Sequence, residues 1–150
     1  NIVCTILTAD CLPVLLCDQQ GTMIAALHGG WRGLLNGIIE NTLSKMPATG
    51  LMAWLGPAIG AECFEVGDDV RDAFIRKSAQ FNSAFKNHAQ GKYLADIYQI
   101  ARILLNNAGV QQIYGGEYCT VTDADRFFSY RRDGQTGRMA SMIWKTGRAD

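Results

Sequence analysis

Three short apolar runs open the chain: "IVCTILTA" (2–9), "PVLLCD" (13–18) and "TMIAALHG" (22–29). Asp10-Cys11, Gln19-Gln20-Gly21 and Gly29-Gly30 punctuate them. Their length and β-branched content predict strands, buried on both faces where the run is continuous. The pattern then changes period. From Trp31 to Met46 apolar residues recur at Leu34, Leu35, Ile38, Ile39, Leu43 and Met46, which predicts one amphipathic helix stopped by Pro47 and Gly50. "LMAWLGPAIG" (51–60) reads as a strand entering a Gly-Pro loop. Asp68 to Arg76 and a following piece to Lys86 read as helical, with Asp68 and Asp69 complementing the dipole. "YLADIYQIARILLNNAG" (93–109) has the strongest helical period, and Asn107-Ala108-Gly109 supplies its stop. "QQIYGGEYCTVTD", "RFFSYRRDGQTG" and "RMASMIWK" read as strands joined by polar loops. Strands mixed with three or four helices predict an α/β or α+β domain.

Composition narrows this picture. The 150 residues are one domain's worth of chain, 48% hydrophobic and 19% charged, with a formal net charge of zero. That balance argues against a general nucleic-acid or membrane-surface binder, and no apolar run has membrane-helix length. Basic residues nevertheless crowd the last quarter: Arg126, Arg131, Arg132, Arg138, Lys145 and Arg148. Such a cluster is either a solvated face or a receiver for a small anion. The five cysteines, Cys4, Cys11, Cys17, Cys63 and Cys119, are an odd number in apolar segments, which predicts reduced thiols in a cytoplasmic protein. The chain starts at Asn1 inside an expected strand, which suggests that an N-terminal segment is absent.

The candidate chemistry lies at the ends of the first strands. Cys11 follows Asp10 at a strand end, and His28 closes the third run. Two strands paired through a short connection bring such ends together, and a thiolate with an imidazole suits zinc or copper. Gly29 and Gly30 let a ligand approach without a Cβ in the way. Trp31 and Arg32 would stand at the mouth as a stacking surface and an anion clamp. Two ligands do not make a catalytic zinc site, which takes three plus an open position. The only other histidine, His88, sits in the polar context of a surface loop. A second reading stays open, in which Cys11 is a nucleophile, His28 its base and Asp10 the orienter. Regular strand geometry would point Asp10 away from Cys11, which weakens that version. "FFSYRRDGQTGR" (127–138) offers Arg131, Arg132 and Arg138 as either a hairpin loop or a phosphate clamp.

The stretches "TADCLPVLLCD", "HGGWRGLLNGII", "WLGPAIGAECFEVGDDV", "YLADIYQIAR" and "FFSYRRDGQTGRMASMIW" closely resemble the bacterial YfiH-like family, over nearly the whole chain. That family is also called the multicopper polyphenol oxidase or laccase-domain family and the peptidoglycan editing factor family. The resemblance implies layered mixed β-sheets with flanking helices in a single domain, unlike the cupredoxin fold of true laccases. It implies phosphorolysis of purine nucleosides such as adenosine and inosine, with adenosine deamination as a second activity. It further implies a metal, zinc or alternatively copper, held by two histidines and a cysteine. Cys11 matches the family cysteine and His28 the second histidine, while the first histidine lies upstream of the TADC motif. Cys11, His28 and Arg32 are thus the expected catalytic residues. Trp31, Arg131, Arg132 and Arg138 are the expected binders of nucleoside and phosphate. Alternatives are a copper-dependent phenol oxidase, a cysteine amidase acting on cell-wall precursors, and a metal-binding scaffold without activity. Two histidines in 150 residues argue against several coppers.

Overall fold

The computed structural model describes residues 2–47 and 49–146; Asn1 and Arg148 lie outside them. The strands are β1 (Val3–Thr8), β2 (Leu12–Asp18), β3 (Ile24–Gly29), β4 (Leu51–Leu55), β5 (Glu65–Gly67), β6 (Phe85–Ala89), β7 (Lys92–Ala95), β8 (Gln112–Gly115) and β9 (Met139–Trp144). The helices are α1 (Trp31–Leu35), α2 (Ile38–Leu43), α3 (Asp68–Lys77), α4 (Ile97–Asn107) and α5 (Tyr130–Asp133), with a 3₁₀ segment at Ala79–Ala84. Three sheets form among the described residues. The central one has the order β3-β2-β4-β8, antiparallel except for the parallel β4–β8 pair. β1 and β9 make an antiparallel ribbon, and β5-β7-β6 a small antiparallel sheet. This is a mixed α/β arrangement of layered sheets with flanking helices.

The central sheet organises the core. β2 buries Leu12, Val14 and Leu16 completely, and Leu12 sits close to Leu34 of α1 across Gly29. On its other face, Leu15 and Cys17 border clefts shared with β9. Helix α4 contributes Ile97, Ile100, Ala101, Leu104 and Leu105 to the same core, the helical period that the sequence displays. Each fully buried Leu or Ile stabilises by roughly 2 kcal/mol relative to exposure.

The structure corrects the expected elements in four places. The piece expected to be helical to Lys86 ends at Ala84, and Phe85 and Lys86 pair in β6 with Ala95 and Leu94. The expected helix from Trp31 to Met46 is two short helices, because Gly37 takes a left-handed φ of 87° between them. Without a Cβ, glycine enters that region freely and ends the first helix there. The expected helix start at Tyr93 shifts to Ile97, since Asp96 caps it by accepting from the Gln99 amide at 2.9 Å. That cap releases residues 92–95 to pair as β7 with β5 and β6, a sheet that the apolar pattern does not announce. The stretch 127–138 holds a helical turn, α5, capped by Ser129 accepting from the Arg132 amide.

One buried hydroxyl joins α4 to the loop after β4. Tyr98 Oη accepts from the Ala58 amide at 2.7 Å and lies 2.8 Å from the Tyr118 carbonyl. Burial pushes its phenol up to about 12, although the Ala58 bond opposes that. Tyr98→Phe would leave the fully buried Ala58 amide without its acceptor, a loss of about 2 kcal/mol. Thermal unfolding of the variant is expected about 6 °C lower. An unchanged Tm would show that the hydroxyl is dispensable.

Candidate active site

The turn from β1 to β2 is built around Asp10. It is the one non-glycine residue with positive φ among the described residues, at 85°, and it is 9% exposed. Asp and Asn tolerate that region better than other L-residues. Here the carboxylate is anchored on both oxygens. Oδ1 accepts from Thr120 Oγ1 at 2.6 Å and Oδ2 from the Arg131 amide at 2.7 Å. The Asp10 carbonyl also accepts from the Ile59 amide at 2.9 Å. Three distant segments therefore meet at this turn. Among the described residues neither carboxylate oxygen accepts a hydrogen bond from His28, so the triad reading loses its third member.

Cys11 follows directly, and the β2–β3 register sets Pro13 opposite His28 and Leu12 opposite Gly29. A Cβ placed on Gly30 would lie 3.2 Å from Cys11 Sγ and 3.9 Å from His28 Cδ2. The two side chains thus converge over a glycine that keeps their side of the sheet end clear. Both line a cavity of about 390 Å³ together with Thr8, Trp31, Phe64, Tyr130, Arg131 and Arg138. Such a volume suits a small-molecule ligand. Burial pushes the Cys11 thiol up and the Asp10 charge adds to this, while Arg138 pulls the other way. The chain on its own therefore holds Cys11 as a neutral thiol near pH 7, a weak nucleophile.

The expected arginines divide. Arg131 and Arg138 line the cavity. Arg131 Nη1 reaches the Cys63 and Glu65 carbonyls at 3.4 and 3.3 Å, and Arg138 Nη1 the Gly137 carbonyl at 2.9 Å. Arg132 does not line it. Its guanidinium donates to the Thr120, Val121 and Phe127 carbonyls and pairs with Asp133, bracing the loop that carries its neighbours. Arg32 also lies outside the lining, exposed and stacked 4.2 Å over the Trp31 ring. Arg32 thus covers the ring of Trp31, the residue of the pair that lines the cavity. His88 lies on the β6–β7 hairpin, 3.7 Å from Glu65, in the surface position expected for it.

Sequence reading missed Thr8, Phe64 and Tyr130. Thr8 is 1% exposed, and its Oγ1 has no hydrogen-bond partner among the described residues. The quoted TADC motif contained it, yet nothing in the spacing separates it from other strand threonines.

The donor chemistry fits part of a metal site. A thiol and an imidazole converge at one cavity wall, the soft pair that zinc or copper takes. Among the described residues no group of three or more His, Cys, Asp or Glu side chains is arranged to hold a metal, so the pair needs a further ligand.

A family model described as multi-copper polyphenol oxidoreductase laccase matches residues 1–146. The chain belongs to this family. Purine nucleoside phosphorylase YfiH of Escherichia coli (strain K12) is 56% identical over 144 residues, which is 95% of this chain and 59% of that protein. Adenosine deaminase RL5 of an unknown prokaryotic organism is 37% identical over 156 residues, 97% of this chain and 59% of the relative. A crystal structure of a Neisseria meningitidis protein matches the fold with a TM-score of 0.95 at 54% identity, covering 97% of this chain and 61% of that one. The chain thus spans about three-fifths of the length of these YfiH-family proteins. Its architecture is theirs and not a cupredoxin barrel, despite the laccase name. No described helix is long and apolar enough to cross a membrane.

Proposed function

We propose that the chain carries the site of a metal-dependent purine nucleoside phosphorylase that also deaminates adenosine. The observation that supports this most is the single cavity shared by Cys11, His28, Trp31, Arg131 and Arg138, in a chain 56% identical to a protein named purine nucleoside phosphorylase. The deaminase relative supports the second activity.

In this reading, phosphate approaches the ribose anomeric carbon while the bond to the purine nitrogen breaks. Arg131 and Arg138 hold the phosphate by charge-assisted hydrogen bonds and offset its repulsion from other anionic groups. Trp31, Phe64 and Tyr130 supply flat apolar surface for the purine. Asp10 keeps Arg131 and Cys11 in register, which is a positioning role. Cys11 and His28 would hold zinc, which supplies Lewis-acid polarisation and a lowered water pKa when bound. The remaining ligand comes from outside the described residues.

The test uses the full-length protein with inosine, with and without phosphate. Release of hypoxanthine and ribose 1-phosphate only when phosphate is present is the expected result. Hypoxanthine release independent of phosphate would replace phosphorolysis by hydrolysis. Absence of nucleoside turnover with copper-dependent oxidation of a phenol would favour the family's laccase description instead.

A further inference from the structure

A pair of thiols, Cys63 and Cys119, lies outside the cavity lining, and neither the metal reading nor the nucleoside chemistry uses it. Cys119 sits where the segment after β8 returns to the loop after β4; Ala58 and Cys119 form an isolated parallel bridge. The Gly60 amide donates to Cys119 Sγ at 3.2 Å. A Cβ on Gly60 would come within 2.9 Å of Cys119 Cβ and 3.1 Å of its sulfur, so only glycine permits this approach. The Cys63 amide closes a turn onto the Gly60 carbonyl at 3.0 Å, which brings Cys63 back to the same place. Both cysteines are free and half-buried. Cys119 and Gly60 border a surface cleft of about 300 Å³, shared with Gln99, Arg102 and Glu117.

We propose that Cys119 and Cys63 form a peroxide-reactive dithiol, with Cys119 as the attacking thiolate and Cys63 as the resolving thiol. Backbone amides turned on a sulfur favour its anion. Burial pushes the Cys119 thiol up. The Thr122 hydroxyl and the Thr122, Gly60 and Val121 amides outweigh this and bring it below its ordinary value. The Cys63 thiol moves the other way, raised by burial and by its hydrogen bond to Cys119. Cys119 is thus the more acidic of the two thiols and Cys63 the less, the order that attack and resolution need.

The co-reactant is hydrogen peroxide. The Cys119 thiolate attacks one peroxide oxygen and the O–O bond breaks. The sulfur becomes a sulfenic acid, and the departing hydroxide takes a proton to become water. The Cys63 sulfur then loses its proton and attacks the sulfenic sulfur. The S–S bond forms, the S–O bond breaks, and the second hydroxide leaves with that proton as water. Two thiols and one peroxide give one disulfide and two waters. The bridge would join segments that hold the cavity wall. Thr120, next to Cys119, donates to Asp10, and the Cys63 carbonyl accepts from Arg131.

The test is thiol chemistry on the reduced full-length protein. Iodoacetamide at pH 7 is expected to label Cys119 about tenfold faster than Cys17, whose thiol burial raises. Hydrogen peroxide is expected to yield a bridged Cys63–Cys119 peptide by mass spectrometry. In Cys63→Ser the same treatment should leave a sulfenic acid on Cys119, captured by dimedone. Equal labelling of Cys119 and Cys17 would overturn the thiolate assignment. A stable sulfenic or sulfinic acid on wild-type Cys119 without a bridge would overturn the role of Cys63. The labelling rates need no variant, so they decide the thiolate assignment even if a substituted protein fails to fold.

Discussion

Cys11→Ser in the full-length protein is expected to abolish nucleoside cleavage and remove most bound zinc. The serine hydroxyl keeps its proton where a coordinated thiol gives it up, so it is a poor ligand. His28→Ala is expected to match it in both respects, because the two side chains converge over Gly30 at one cavity wall. The measurement is metal content of the purified variants beside kcat/KM for inosine. A nucleophile behaves differently: its serine variant loses turnover but keeps a full metal complement. That outcome would end the ligand assignment and restore the thiol-nucleophile reading. Binding should also weaken as pH falls. Metal must displace the Cys11 proton, and burial, with the Asp10 charge, has raised that thiol. Below the thiol's pKa, affinity is expected to drop about tenfold per pH unit for that one proton.

Asp10→Ala is the second large effect. It removes the acceptor of Thr120 Oγ1 and of the Arg131 amide, and Thr120 is fully buried. Hydrogen bonds to a charged acceptor are worth about 1.5–3 kcal/mol each, so a total loss of about 3 kcal/mol is expected. Alanine at a φ of 85° adds about 1 kcal/mol of strain. Asp10→Gly removes the same bonds without that strain and should recover about 1 kcal/mol of the loss. Both variants release the loop carrying Arg131, so kcat/KM should fall on the order of a hundredfold. Urea unfolding and inosine kinetics on the pair check this. Unchanged stability and turnover in Asp10→Ala would refute the tether.

The readable part of the site is its local part. Cys11 and His28 flank a hairpin whose strands are joined by a few residues, so pairing alone carries their ends together. Motifs of the family lie within single runs and survive reading one residue after another. The helical period of residues 97–107 and the apolar β2 are legible for the same reason: repetition over neighbouring positions records which face is buried.

What the sequence left undecided depends on residues far apart. Which arginines reach the cavity turns on how the 118–138 loop docks, and its anchor is an aspartate 110 positions from its threonine. Arg131, Arg132 and Arg138 look alike in one dimension and all three donate to backbone carbonyls, yet only Arg131 and Arg138 line the cavity. Arg32 stands beside Trp31 in sequence, yet its guanidinium stacks on the Trp31 ring while only Trp31 lines the cavity. Cys63 and Cys119 are two cysteines among five until the chain returns on itself at Gly60. Local pattern specifies which face of an element is buried. Only tertiary packing, in which carboxylates, amides and sulfurs find partners far along the chain, decides which polar groups remain free for chemistry.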